Sequence, residues 1–223
     1  YAGNCAQGDV VCGGGQPCFG FTPDGAGYKT PHGVEFNPEK ARSLLAQAGF
    51  PVGKGFPRLE LMTTSREVQK TMAEAIQGMW KKHLGIHVDI RSCEWTAYKF
   101  AQNSMQYDFS SSSWSGDYLD PSSFLDLWGS ASGNNNTGWV HPEYERLLAE
   151  SRTTGNQEKR MALLARAEAL MLSESPVIPL YWAKRSYLKR PEVRGWHPLL
   201  LDNHLFEDIS LDDAREHGKE AAP

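Results

Sequence analysis

What the chain lacks narrows it first. No apolar run approaches the roughly 20 residues needed to cross a bilayer, and the opening residues show neither the charged n-region nor the apolar h-region of a secretory leader. Tyr1 stands inside a loop-like stretch, so the sequence reads as a fragment or a processed product. Basic residues are not in excess: 23 Lys and Arg face 27 Asp and Glu, for a formal net charge of −4. Phosphate backbones require a concentrated basic face. The nearest approach, Lys184-Arg185 with Lys189-Arg190, is short and diluted by Ser186, Tyr187 and Leu188, so no nucleic-acid partner is expected. Gly13-Gly14-Gly15 is not followed by Gly-Lys-Ser/Thr, which removes a P-loop. Of the four cysteines, Cys5, Cys12, Cys18 and Cys93, no pair has the C-x-x-C spacing of zinc or thioredoxin sites. Either two of the first three pin a loop as a disulfide, or they are small free residues.

What is present suits a folded α/β chain. The 223 residues, 40% hydrophobic and 22% charged, can bury a substantial core as one large domain or two small ones. Residues 1–34 are rich in Gly and Pro and read as loop. Asn37 as N-cap, Pro38 at the first helical position and Gly49 beyond the end predict a helix over Pro38–Ala48, with an apolar stripe of Ala41, Leu44, Leu45 and Ala48. Leu59–Met62 reads as a strand. Thr64 and Glu67 have capping-box spacing before a helix to about Leu84, with Val68, Met72, Ala75, Ile76 and Met79 on its inner face. Ile86–Ile90 alternates as a strand does, completing a βαβ unit whose strands should be parallel.

A helix from Trp95 to Gln102, a strand at Tyr107–Ser110 and a short helix after Pro121 carrying Phe124, Leu125 and Trp128 follow. Two more helices are expected. One begins at Pro142 and buries Tyr144, Leu147 and Leu148; the other is capped by Asn156 and buries Leu164, Ala167 and Met171. Pro176–Trp182 reads as a strand whose prolines confine it to an edge or partly outside the sheet. Further strands are expected at Arg185–Leu188 and Leu205–Leu211, before a polar tail.

Catalytic patterns are hard to assemble. His83 and His87 have i, i+4 spacing, but Gly85 ends the helix between them. Ser113 and Ser115 lack a G-x-S-x-G context. Asp117 and Asp120 have the residue types of a glycosidase pair, although Asp120 is also placed to cap the next helix. Asn135-Asn136-Thr137 matches a glycosylation sequon. The densest grouping is aromatic and polar: Trp95, Trp114, Asp117, Tyr118 and Trp128 around one turn. Each Trp is as readily core filling as ligand contact, and Asp117 between Gly116 and Tyr118 can equally serve only the turn.

Taken in order, several segments resemble one family. They are Gly20-Phe21-Thr22-Pro23, the stretch Phe36 to Phe50, Leu84-Gly85-Ile86-His87-Val88 with Glu94-Trp95, Trp114-Ser115-Gly116-Asp117-Tyr118-Leu119-Asp120-Pro121-Ser122-Ser123-Phe124-Leu125, and Pro176-Val177-Ile178-Pro179-Leu180-Tyr181. Together they are similar to the solute-binding proteins of peptide and nickel ABC importers, of the large oligopeptide- and dipeptide-binding type.

The resemblance implies the C-terminal lobe of a two-lobed periplasmic-binding-protein fold, a mixed β-sheet flanked by helices. Residues 1–183 would form the ligand-binding lobe, 184–211 a segment that returns to the missing first lobe, and 212–223 a polar tail. It implies an extracytoplasmic binder rather than an enzyme, with no cofactor or metal, an oligopeptide ligand and an ABC permease as membrane partner. It assigns Asp117 to the ligand's α-ammonium, backbone groups near Trp114 and Ser115 to the extended peptide, and Trp95 to a side-chain pocket, with Gly116 and Tyr118 in the same segment. Ser111 departs from those oligopeptide binders that carry Arg there to receive peptide carboxylates. The alternatives are a nickel complex or oligosaccharide as ligand, or a carboxylate hydrolase built on Asp117 and Asp120. An oxidising compartment would join two of Cys5, Cys12 and Cys18, leaving Cys93 reduced.

Overall fold

The computed structural model describes residues 16–33, 35–182, 188–197 and 204–212. Its centre is a three-stranded parallel sheet of β2 (Leu59–Thr64), β3 (Val88–Cys93) and β4 (Phe109–Ser110), in the order β3-β2-β4. The register sets Leu59 against Val88 and Thr64 against Cys93, and Met62 against Ser110. Two antiparallel ladders are not hydrogen-bonded to it: β1 (Gln16–Pro17) with β5 (Tyr181–Trp182), and β6 (Val193–Arg194) with β7 (Ser210–Leu211). Strands of both senses therefore occur, but the sheet at the centre is wholly parallel, as its βαβ connection requires.

Successive β2 residues face opposite ways. Leu61 joins Met72, Ala73 and Ile76 of α2 (Glu67–Leu84) together with Ile86 and Val88. Met62 joins Tyr98 and Ala101 of α3 (Trp95–Asn103). Helices thus cover both faces. α1 (Pro38–Gln47) lies against α2; Asn37 caps it by accepting from the Lys40 amide, and Gly49 takes the left-handed conformation just past its end, as predicted. α1 buries no side chain fully, however. Leu45 packs against the α2 cluster, while Leu44 is 54% exposed, so the predicted stripe is only half covered. Val68 is likewise exposed, and Ala73 takes the buried position instead.

The second core is helical. α4 (Ser122–Leu125), a 3-10 turn at Asp126–Trp128, α5 (Pro142–Thr153) and α6 (Gln157–Glu174) enclose Leu125, Trp128, Tyr144, Leu147, Leu148, Leu164, Ala167 and Met171. These include every apolar position predicted for α5 and α6. Asn156 caps α6 through the Lys159 amide. The loop 18–30 closes this core from outside. Phe21 meets Trp128 edge-on at 5.1 Å, and Tyr28 is buried. The carboxylate of Glu168, fully buried in α6, accepts from the Phe21 and Thr22 amides at 2.7 and 3.1 Å and from the Tyr28 hydroxyl at 2.6 Å. Burial pushes its carboxyl above the ordinary range despite those donors.

Several boundaries differ from the sequence reading, among them the start of β4, which begins at Phe109 rather than Tyr107. The Thr64–Glu67 capping box does not form: Thr63 and Thr64 continue β2 opposite Ser92 and Cys93, and α2 starts after Arg66 without a side-chain cap. β-branched Thr fits a pleated strand better than a cap when a partner strand lies alongside. β3 begins at Val88, two residues later than read, because the left-handed Gly85 and the turn after it precede the pairing. Of Pro176–Trp182 only Tyr181–Trp182 pairs, since Pro176 and Pro179 have no amide to give. Of Leu205–Leu211 only Ser210–Leu211 pairs as a strand, and Phe206–Asp208 forms a 3-10 turn. Cys5, Cys12 and residues 185–187 lie outside the described residues, and with them the proposed disulfide and strand. Cys93 carries no disulfide. Among the described residues no helix is long and apolar enough to cross a membrane.

Candidate functional site

Because β2, β3 and β4 are parallel, the chain leaves all three at one edge of the sheet. Residues just beyond the carboxyl ends of parallel strands line the natural crevice of such a fold. β2 exits into Ser65-Arg66, β3 into Glu94-Trp95, and β4 into Ser111–Tyr118. Two backbone bonds keep the exits together: Ser65 N–H donates to the Cys93 carbonyl at 2.8 Å and Ser111 N–H to the Met62 carbonyl at 2.9 Å. Topology thus brings Trp95 to the same edge as the segment Trp114 to Tyr118.

Trp95 is the first residue of α3, capped by the Glu94 carboxylate accepting from the Thr96 amide at 2.8 Å. The residue is 56% exposed, and its ring stacks on Tyr98 at 5.9 Å, with Lys99 Nζ 5.9 Å from its centroid. Tyr98, itself buried, donates its hydroxyl to the Ser111 carbonyl and lies 3.1 Å from both Ser110 Oγ and Gln102 Nε2. An aromatic shelf is thereby joined to the start of the 111–118 segment. Ser111 also reaches Gln69 of α2 at 3.4 Å.

The far end of that segment is held by α4. Trp114 packs partly on the helical core and donates Nε1–H to the Ser123 carbonyl at 2.8 Å. The Asp117 amide donates to Ser123 Oγ at 2.6 Å. Gly116 passes so close to Phe124 that a Cβ would meet its ring at 2.8 Å, so any larger residue would have to push that ring aside. Tyr118 is half-exposed, its hydroxyl 3.3 Å from Ser122 Oγ. Ser115 is exposed. Asp117 is exposed too, and its carboxylate has no hydrogen-bond or ion-pair partner among the described residues.

Asp120 differs completely. Arg160 of α6 grips it with two bonds of 2.7 Å, and its Oδ1 accepts from the Ser122 amide and hydroxyl. The Arg160 guanidinium holds its carboxyl down at about 2. A general acid needs the opposite shift, so Asp120 is poorly suited to the acid half of a hydrolytic pair, and its Oδ1 is taken up by Ser122, the first residue of α4. Trp128 is core, with its ring against Phe21. Asn135 turns its amide inward to the Trp128 and Trp139 carbonyls at 3.1 and 2.9 Å, away from its reading as a glycan acceptor. Ser123, Tyr98 and Arg160 carry no pattern of their own in the sequence. The one available signal was Pro121, which placed a helix start just after the turn.

Comparison with known proteins agrees with this arrangement. The family model described as bacterial extracellular solute-binding proteins, family 5 Middle, matches residues 8–136. The oligopeptide-binding protein OppA of Bacillus subtilis (strain 168) is 32% identical over 177 residues, covering 79% of this chain and 32% of that protein. The periplasmic murein peptide-binding protein MppA of Escherichia coli (strain K12) is 32% identical over 190 residues, 82% of this chain and 35% of the relative. The chain therefore spans about a third of the length of these curated relatives. A crystal structure of a periplasmic oligopeptide-binding protein from Borrelia burgdorferi superposes with a TM-score of 0.79 at 32% identity, over 87% of this chain and 40% of that one. The unliganded open form of MppA gives 0.74 at 30% identity, over 91% and 41%. With a parallel α/β sheet, a polar turn at its carboxyl edge and a family model matching more than half its length, this chain belongs to the bacterial extracellular solute-binding proteins of family 5.

Proposed function

We propose that this chain is one lobe of the extracytoplasmic peptide-capturing component of an ABC importer, and that Asp117 receives the α-ammonium of an extended peptide. The observation that carries this reading is the contrast at the turn. Asp117 is fixed through its backbone by Ser123, while its carboxylate, at the carboxyl edge of the sheet, has no partner among the described residues. An extended peptide offers backbone groups common to all sequences, so main-chain hydrogen bonds supply affinity without side-chain specificity. The terminal ammonium is the one charge every unblocked peptide carries, and a fixed carboxylate sets the register. Trp95 and Trp114 follow β3 and β4 at that same edge of the sheet, and exposed Ser115 leaves backbone beside Asp117 for the ligand.

The relatives named for oligopeptide and murein peptide binding support a peptide over a nickel complex or oligosaccharide. In the whole protein a first lobe closes over the ligand, and a membrane permease of the transporter receives it outside the cytoplasm. Segment 184–211 would return to that first lobe. The exposed apolar side chains of Leu188, Leu205 and Phe206 favour this, because they need a surface to cover them. The isolated lobe should bind peptide weakly, since closure supplies the desolvation that strengthens charge pairing.

The test is a double cycle by calorimetry on the full-length protein: free against N-acetylated peptide, wild type against Asp117→Asn. Coupled losses support the contact. Losses that simply add mean that Asp117 shapes the turn and does not meet the amine.

A further inference from the structure

We propose that Ser123 is the positioning residue that makes Asp117 selective for a free amine. The inference rests on the reading of Asp117 above. Asp117 has one fixed atom that matters, its amide nitrogen, and that nitrogen donates to Ser123 Oγ at 2.6 Å. The other end of the same turn is tied to the same residue, through Trp114 Nε1–H to the Ser123 carbonyl at 2.8 Å. Ser123 is buried, and its own amide donates to the Asp120 carbonyl at 3.0 Å. Asp120 is in turn gripped by Arg160 from α6. The segment 114–117 is therefore clamped onto the helical core at two points that meet in a single side chain and its carbonyl. Between those points Gly116 lies against Phe124, which leaves the turn no room to collapse inward.

A carboxylate on a loose turn attracts an ammonium as a mobile charge, which distinguishes poorly between a peptide amine and any other cation. A carboxylate whose backbone is fixed meets the amine with its geometry set in advance, and the ordering cost is already met in the folded protein. Removing the Ser123 hydroxyl leaves the Asp117 amide without its acceptor and frees the turn at the Asp117 end, while the Trp114 bond, made to a main-chain carbonyl, persists. The expected loss is specific to the amine and spares the backbone contacts of the rest of the peptide.

The experiment uses the full-length protein and calorimetry with one tripeptide in free and N-acetylated forms. In wild type the free peptide binds more tightly, and Asp117→Asn abolishes most of that difference. Ser123→Ala should shrink the free-to-acetylated ratio about tenfold, the worth of one buried hydrogen bond to a positioned group, with the acetylated affinity nearly unchanged. In the Asp117→Asn background Ser123→Ala should change the ratio no further. Ser123→Thr, which keeps the hydroxyl, should restore most of the ratio. Gly116→Ala, which pushes the same turn from the Phe124 side, should reproduce the loss should Ser123→Ala fold poorly. Equal losses for both peptides, or an unchanged ratio in Ser123→Ala and Gly116→Ala, overturn the inference while leaving Asp117 as amine receptor. A wild-type ratio that Asp117→Asn does not alter overturns the reading of Asp117 itself, and the inference with it.

Discussion

The helical core of this chain and the turn at its rim treat two carboxylates in opposite ways. In the helical half Glu168 is fully buried and accepts from two backbone amides and the Tyr28 hydroxyl, sealing the loop 18–30 onto α6. On the rim where the two halves meet, Asp117 is exposed with its carboxylate unpartnered among the described residues, three residues before Asp120, which is paired with Arg160. A saturated carboxylate in a dry core is structure. An unsaturated one on a rigid turn is available to something else. Placement relative to the sheet edge, more than residue type, separates the two roles.

That contrast can be broken hardest at Glu168. Glu168→Ala would strand two amides and a hydroxyl in an interior they cannot leave, and should cost about 3–5 kcal/mol, read by urea unfolding of the full-length protein. Glu168→Gln keeps one acceptor oxygen and should cost less. Asp117→Asn should do the reverse. Unfolding stability stays within about 0.5 kcal/mol, as for surface changes away from special features, while affinity for a free-amine peptide falls by about two to three orders of magnitude once the closed protein buries the pair. A stability loss at Asp117 comparable to that at Glu168 would erase the distinction.

The third carboxylate sharpens it through pH. Arg160 holds Asp120 at about 2 against an ordinary value of 3.8. Its contribution, on the order of 1 kcal/mol once solvent screening is allowed for, is therefore present above pH 3.8 and lost as pH falls toward about 2. Glu168 is shifted the other way by burial, so its contribution is full below its unfolded pKa and lost as pH rises through the folded one. Comparing Asp120→Asn and Glu168→Gln by unfolding across pH should show slopes of opposite sign; slopes of one sign would refute the assignment. The smallest effect is expected in the sheet half at Asn37, whose side chain caps α1 at a surface position. Asn37→Ala should cost about 1 kcal/mol with no change in peptide affinity.

Local rules located most elements well. Asn37-Pro38 and Asn156 start their helices where capping chemistry says they must, and the α5 and α6 core positions follow from the 3.6-residue period. The rules failed where a neighbour outvoted them. Thr64 had a capping partner three residues on, but Cys93 alongside kept it in β2. Leu44 had the spacing of a buried residue, but α1 sits at the margin and none of the described residues covers that face. For the site, the run from Trp114 to Tyr118 stood out by its aromatic and polar content, and Trp95 by resemblance. Ser123, Tyr98 and Arg160 did not stand out, because each acts through a contact with a residue that spacing alone does not bring near.

The sequence by itself determined the parallel βαβ unit, the helical pair and the family, since periodicity, caps and ordered motifs are properties of the chain read in one dimension. Only the tertiary structure decided which acid is which. Asp117, Asp120 and Glu168 are chemically near-identical on the page of letters. Desolvation, a guanidinium brought from 40 residues away and the number of donors within reach are three-dimensional quantities. They separate a buried clamp, a salt-bridged cap and an open carboxylate because the free energy of a charge depends on what surrounds it.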